Sequence, residues 1–174
     1  LSRLAADGRL VGLDRDPVAV AFGAERFAGE DRLQLVHTGF GDAKQALQHA
    51  GAITAFDGVL MDLGVSSPQL DNPDRGFSFM HEGPLDMRMD TSRGETAAEW
   101  LKRADIEEIT TVLKTLGEER FGRRIAHAIV EYRADTDIND TAQLVAIIEA
   151  AQPVKEKHKH PATRSFQAIR MHIN

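Results

Sequence analysis

The hydrophobic pattern of this chain changes period along its length. Residues 9–14 (RLVGLD) form a short apolar run that ends in an acid and is bounded by Gly8 and Pro17. A run of this length between turn residues predicts a buried strand. Asp16 then stands where a helix cap is needed, with Pro17 at the first helical position, so a helix is predicted from there to about Phe27. The cycle repeats with a strand over Leu33–His37, a helix over Asp42–Ala50 closed by Gly51, and a third strand over Phe56–Asp62 (FDGVLMD). Strands and helices in alternation, with nearly continuous apolar strands, predict an α/β fold on a doubly wound parallel sheet covered on both faces.

Residues 63–94 break this pattern. The stretch is rich in Gly and Pro and has no sustained period, and a loop of that length is uncommon in a compact domain unless it is functional. From Thr96 the period becomes helical. Thr96-Ala97-Ala98-Glu99 has the form of a capping box, and Asp105 with Glu108 repeats it before Ile106, Ile109, Leu113 and Leu116. Gly117 is expected to end that helix. Phe121, Ile125 and Ile129 mark another, and Thr141–Ala151 a further one before Pro153. Phe166, Ile169 and Ile173 then share one helical face. The expected organisation is a core of residues 1–94 and 153–174 interrupted by a helical insertion, residues 95–152. Both ends read as cut: Leu1–Ala6 resembles a last helical turn closed by Asp7-Gly8, and the far end stops inside a helical pattern.

Composition narrows the classes. Apolar residues make up 42% and charged residues 28%, which is ordinary for a globular protein. No run approaches the ~18 apolar residues of a membrane span, and no signal segment opens the chain, so a cytoplasmic protein away from membranes is expected. The absence of cysteine excludes disulfides, thiolate metal sites and cysteine nucleophiles. His158-Lys159-His160 lacks a third ligand at suitable spacing, so no metal is expected. The net charge of −6 hides a basic end: residues 151–174 carry five Lys or Arg against the single Glu156. An anionic partner would meet the chain there, although a solvated basic segment is the plainer reading.

In parallel sheets, ligands bind beyond the carboxyl ends of the strands. Asp14, Gly39-Phe40 and Asp62 fall there. An acid at that position can accept hydrogen bonds from both hydroxyls of a ribose, each bond contributing ~1.5–3 kcal/mol. It can equally cap the next helix, but Asp16 is better placed to do so. The segment Asp62-Leu63-Gly64-Val65-Ser66-Ser67-Pro68-Gln69-Leu70-Asp71 is the most informative. Taken alone, Ser-Ser-Pro-Gln is a turn signal. Ser67-Pro68-Gln69 also resembles the Ser-Pro-Pro-Tyr box of amino methyltransferases, with Gln in place of the second Pro. An exocyclic amine on a pyrimidine is a poor nucleophile, because its lone pair is delocalised into the ring. Acceptors that grip its protons, for which Ser66, Ser67 and the acids of the long loop are candidates, favour attack by its nitrogen. Phe77 and Phe79 either stack on a splayed base or pack the loop onto the core. Trp100 reads as core, and Arg120, Arg123 and Arg124 as a solvent face with a lesser claim on RNA phosphate.

DLGVSSPQLD, RGFSFMHEGPLDMRMD (Arg75–Asp90), AAEWL, GEERF and HPATRSFQAIR (His160–Arg170) occur in that order and spacing. In this the chain resembles the MraW/RsmH family. The resemblance implies a class I (Rossmann-like) methyltransferase core with an inserted helical domain, using S-adenosylmethionine as donor. It implies methyl transfer to the exocyclic N4 of a cytosine in 16S ribosomal RNA, with the small ribosomal subunit as partner, and leaves a homodimer open. Asp14 of LDRDP matches the acid that holds the cofactor ribose, and Phe40 of HTGF a cofactor-contacting position. Asp62 of LMDLG and Gln69 of SSPQL match the remaining cofactor contacts.

Family members carry a glycine-rich loop before the position of Leu1, and a strand there that lies between those ending in Asp14 and Asp62. By that resemblance the 174-residue chain alone is expected to bind the cofactor poorly. The rival readings are a nicotinamide-dependent dehydrogenase, which also places an acid after its second strand, and a non-catalytic RNA-binding module.

Overall fold

The computed structural model describes residues 1–49, 55–154 and 159–174. The chain divides into two compact units, one of residues 1–63 with 89–93, the other of residues 64–88 with 94–174.

In the first unit, β1 (Leu10–Asp14) and β2 (Leu33–His37) pair in parallel, in register from Leu10 opposite Leu33 to Asp14 opposite His37. Parallel neighbours need a crossover, and α1 (Pro17–Arg26) supplies it. The Asp16 side chain accepts the Val18 N–H at 2.9 Å and Pro17 opens the helix, as the sequence predicts. Leu35 explains two glycines. A Cβ on Gly23 of α1 would lie 2.6 Å from Leu35 Cδ1, and one on Gly12 of β1 would lie 2.9 Å from its Cδ2. Hydrogen in place of a methyl therefore lets Leu35 reach both the helix and the adjacent strand. A short 3₁₀ turn, Phe40–Asp42, follows β2 and leads into α2 (Ala43–His49). The helix thus begins one residue later than the expected Asp42; its expected end at Ala50 and Gly51 lies outside the described residues.

Two expectations fail in this unit. Leu1–Gly8 forms successive turns, with Leu4 N–H on Leu1 O and Gly8 N–H on Ala5 O, rather than the end of a helix. Phe56–Asp62 is not a strand. It is irregular and exposed, with Val59 82% and Leu60 93% accessible. A strand needs a neighbour to take its N–H and C=O groups. Among the described residues β1 pairs with β2 and no strand stands beside Phe56–Asp62, so its apolar pattern has no ladder to join. The observed architecture is mixed α/β, with a small parallel pair and several helices.

The second unit holds the apolar core. Its elements are α3 (Ser67–Asp71), a 3₁₀ turn at Pro73–Arg75, α4 (Ala97–Arg103), α5 (Ile106–Gly117), α6 (Gly122–Arg133), α7 (Thr141–Ala151) and α8 (Thr163–Ile173). Trp100, Leu101, Ile109, Leu113, Ile125, Ile129, Leu144, Ile148, Phe166 and Ile169 are fully buried together. The capping box of Thr96 and Glu99 forms, and the Asp105 side chain accepts the Glu108 N–H. A third box, Asp140 with Gln143, starts α7.

Gly117 is the last residue of α5, as the sequence predicts, and the left-handed residue that follows it is Glu118, at φ +51°. A Cβ on Gly117 would lie 2.5 Å from Arg164 O and 2.8 Å from Ala168 Cβ. This glycine is therefore required by the close packing of α5 on α8.

The stretch that lacks a period in the sequence is held firmly. Leu85 N–H donates to Asn139 O, Thr141 N–H to Gly83 O and Met87 N–H to Arg75 O. Thr141 Oγ1 donates to His81 O and accepts the Gly83 N–H. Phe77, Leu85 and Met87 are buried, so Phe77 packs rather than offering a face to a base. Phe79 is half-buried and stacks on His160, with ring centroids 4.6 Å apart.

Candidate cofactor site

β1 and β2 run in the same direction, so their carboxyl ends bring Asp14 and His37 side by side, and Thr38 N–H closes the pair on Asp14 O at 2.9 Å. Gly39 and Phe40 follow directly. Asp14 is exposed, and its Oδ1 accepts the Asp16 N–H at 2.8 Å. The two acids thus divide the work: Asp16, 3% accessible, caps α1, and Asp14 is left at the mouth of the strand pair. A carboxylate offers about four acceptor positions, so one amide leaves room for a pair of hydroxyls. Phe40, 65% accessible, presents an apolar ring at the same end. A ribose diol and a flat heterocycle are what these two side chains can hold.

The remaining candidates are placed differently. Asp62 belongs to the same unit and is exposed in an irregular segment. Ser66, Ser67 and Gln69 belong to the second unit. Ser67-Pro68 opens α3 rather than forming an isolated turn, and Ser66 and Ser67 are both exposed. Gln69 is buried, 5% accessible, and its Oε1 accepts the Ser66 N–H at 3.0 Å. Its carboxamide thereby fixes the backbone on which Ser66 and Ser67 are carried.

Two further residues were missed by sequence reasoning. His37 Nε2 lies 3.0 Å from Arg15 O and 3.4 Å from Asp90 Oδ2. Both neighbours are acceptors, so Nε2 carries the hydrogen. Asp90, 3% accessible, also accepts from Ser92 N–H at 3.0 Å, Ser92 Oγ–H at 2.6 Å and Arg93 Nε–H at 2.7 Å. It ties residues 89–93 to the unit that contains Asp14 and Phe40. The sequence signal was weak: an acid ending DMRMD, more than fifty positions from His37, with nothing local to join them.

Burial works to raise the Asp90 pKa, but the Ser92 bonds, Arg93 and His37 outweigh it and hold the carboxyl below the usual aspartate range. A group whose folded pKa is depressed contributes stability above its unfolded pKa of ~3.9, and that contribution is lost as pH falls through the folded value. Asp90→Asn is expected to lose ~2 kcal/mol at neutral pH through weakened charge-assisted bonds. The gap between the two proteins should narrow below pH ~4. Urea unfolding from pH 7 to pH 2 checks this; a gap that stays constant would mean that the Asp90 charge contributes nothing.

A model of the MraW methylase family matches residues 1–174. The chain is 58% identical over its whole length to ribosomal RNA small subunit methyltransferase H of Alteromonas mediterranea, covering 55% of that protein. It is 56% identical to the protein of the same name from Thioalkalivibrio sulfidiphilus, again over the whole chain and 55% of the relative. With that of Pseudoalteromonas atlantica the figures are 53% identity and 56% of the relative. The chain spans about half the length of the curated relatives it matches.

Proposed function

Because the chain belongs to the MraW methylase family, we propose that it carries cofactor- and substrate-facing residues of an S-adenosylmethionine-dependent methyltransferase acting on the N4 of a cytosine in 16S ribosomal RNA. The observation that supports this reading is the exposed Asp14 at the carboxyl end of a parallel strand pair, with Phe40 three residues beyond the end of its partner strand and the helix cap supplied by Asp16 instead. The donor supplies an electrophilic methyl group on a sulfonium. By the family resemblance, Asp14 would accept hydrogen bonds from the ribose hydroxyls and Phe40 would meet the adenine, with Asp62 and, in the second unit, Gln69 as the further candidates. Ser66 and Ser67 would orient the target amine by accepting hydrogen bonds from its N–H groups. A cytosine inside a duplex has its amine edge closed to such attack, so the base is taken out of the stack first.

In this reading β1 and β2 belong to a class I methyltransferase core, into which residues 95–152 are inserted, and the protein works in the cytoplasm on the small ribosomal subunit. A nicotinamide-dependent dehydrogenase has no counterpart among the relatives named above.

Calorimetry with S-adenosylmethionine, on a polypeptide extended to the length of the relatives, tests the site. Asp14→Ala is expected to weaken binding ~10-fold or more through loss of charge-assisted bonds, with Asp14→Asn between it and the parent. Equal affinity in all three would remove Asp14 from the site.

A further inference from the structure

The second unit contains a cleft that the cofactor reading does not use. Arg120, Lys159 and Arg164 line it, along with His160, Gln152 and Glu119. Its walls are built from internal contacts. His160 stacks on Phe79, which meets the buried Phe166 edge to face at 5.5 Å. His160 Nδ1 accepts the Ala162 N–H at 3.2 Å, and Gln152 Nε2 donates to Pro161 O at 3.0 Å, so both sides of the turn into α8 are pinned.

Of the described lining residues, Arg120 and Lys159 are exposed cations, whereas the one carboxylate, Glu119, is 4% accessible. It accepts the Phe121 N–H at 3.0 Å and faces Ser165 Oγ at 3.4 Å, so it serves the protein interior. Glu149 lies 3.7 Å from His160 Nε2. Arg120 is exposed, with its guanidinium 5.5 Å from the Phe121 ring centroid, and Lys159 is exposed as well. The cations come from two stretches far apart in sequence, Glu119–Phe121 and Lys159–Arg164, and only the fold gathers them.

We propose that this cleft binds phosphodiester groups of single-stranded RNA, holding the strand by its backbone. The anion site follows from the cleft itself; that the anion is RNA rests on the ribosomal RNA reading above. Backbone contacts of this kind position a strand without reading its sequence. Each cation that neutralises a phosphate adds to the salt dependence of binding.

The test is fluorescence anisotropy of a labelled single-stranded RNA of mixed sequence with the full chain, titrated with salt, with no cofactor added. Arg120→Glu together with Lys159→Glu is expected to weaken binding ~10-fold or more. The slope of log affinity against log salt should become shallower by about 1 per cation removed. Arg120→Gln with Lys159→Gln should give a smaller loss in the same direction, which keeps the test valid if the glutamate pair folds poorly. Lys44→Glu, in the other unit, should leave both quantities near the parent.

Equal affinity and slope in both double variants would overturn the proposal, as would an equal loss on Lys44→Glu. Displacement of the RNA by millimolar inorganic phosphate at constant ionic strength would reassign the cleft to a free phosphate. Failure of the methyltransferase reading is seen separately, in the Asp14 calorimetry, because none of these RNA measurements needs S-adenosylmethionine.

Discussion

Gly76→Ala is expected to destabilise the helical unit by ~2–5 kcal/mol. Gly76 has φ +66°, where an L-residue costs ~1–2 kcal/mol. A Cβ there would also lie 2.1 Å from Pro84 O and 2.8 Å from Asp86 N, both backbone atoms that cannot rotate aside. Overpacking of this kind adds ~1–3 kcal/mol. The segment it would push apart, Pro84–Arg88, carries the buried Leu85 and Met87 and the ion pair of Asp86 with Arg88 at 2.7 Å. Gly94 is the control, since it has φ +77° and a Cβ added there would meet nothing within 4 Å. Gly94→Ala should lose only the conformational part. Thermal unfolding followed at 222 nm compares them, with ~2–4 °C expected per kcal/mol. Equal shifts for the two variants would show that the close approach at Gly76 has no energetic weight.

Trp100→Ala should be of similar size, ~3–5 kcal/mol, because a large buried side chain is replaced by a void that its neighbours fill only in part. Trp100 is fully buried within α4, its ring lies 4.5 Å from that of His172 on α8, and its Nε1–H donates to Glu108 Oε1 at 2.8 Å. It therefore joins α4, α5 and α8. Trp100→Phe should lose clearly less, since the ring volume is largely kept and the half-exposed Glu108 can turn to water. This is the only tryptophan of the chain, so unfolding is followed by circular dichroism rather than by indole fluorescence. A loss below ~1 kcal/mol for the alanine variant would mean that the helices close over the site.

Local rules were readable wherever the chemistry is local. The caps at Asp16 and Thr96 form as the sequence predicts; at Asp105 half of the expected box forms, since the Glu108 carboxylate accepts the Trp100 Nε1–H instead. The strands over Leu33–His37 and up to Asp14 were readable for the same reason, as were the buried faces of Ile109, Leu113, Phe166 and Ile169. Phe56–Asp62 has the composition of a strand but not the state, because a strand is a property of two segments and composition describes one. The acid and the aromatic ring of the candidate site, Asp14 and Phe40, were found from strand ends. His37 and Asp90 were not, since nothing near either residue announces the other.

The amino-acid sequence by itself determined the helical and strand periods, the capping positions, the basic end and, through its long motifs, the family. Tertiary structure alone decided three things. Gly117, at the end of α5, must lack a side chain because the clash that forbids one comes from Arg164 and Ala168 on α8. Asp90 serves as an anchor because the fold brings the remote His37 to a buried carboxylate that Ser92 and Arg93 hold locally. Arg120 and Lys159 share a cleft because α5 and α8 pack together and carry the flanking turns with them. In each case the deciding partner is remote in sequence or depends on burial, and neither condition is expressed in local pattern.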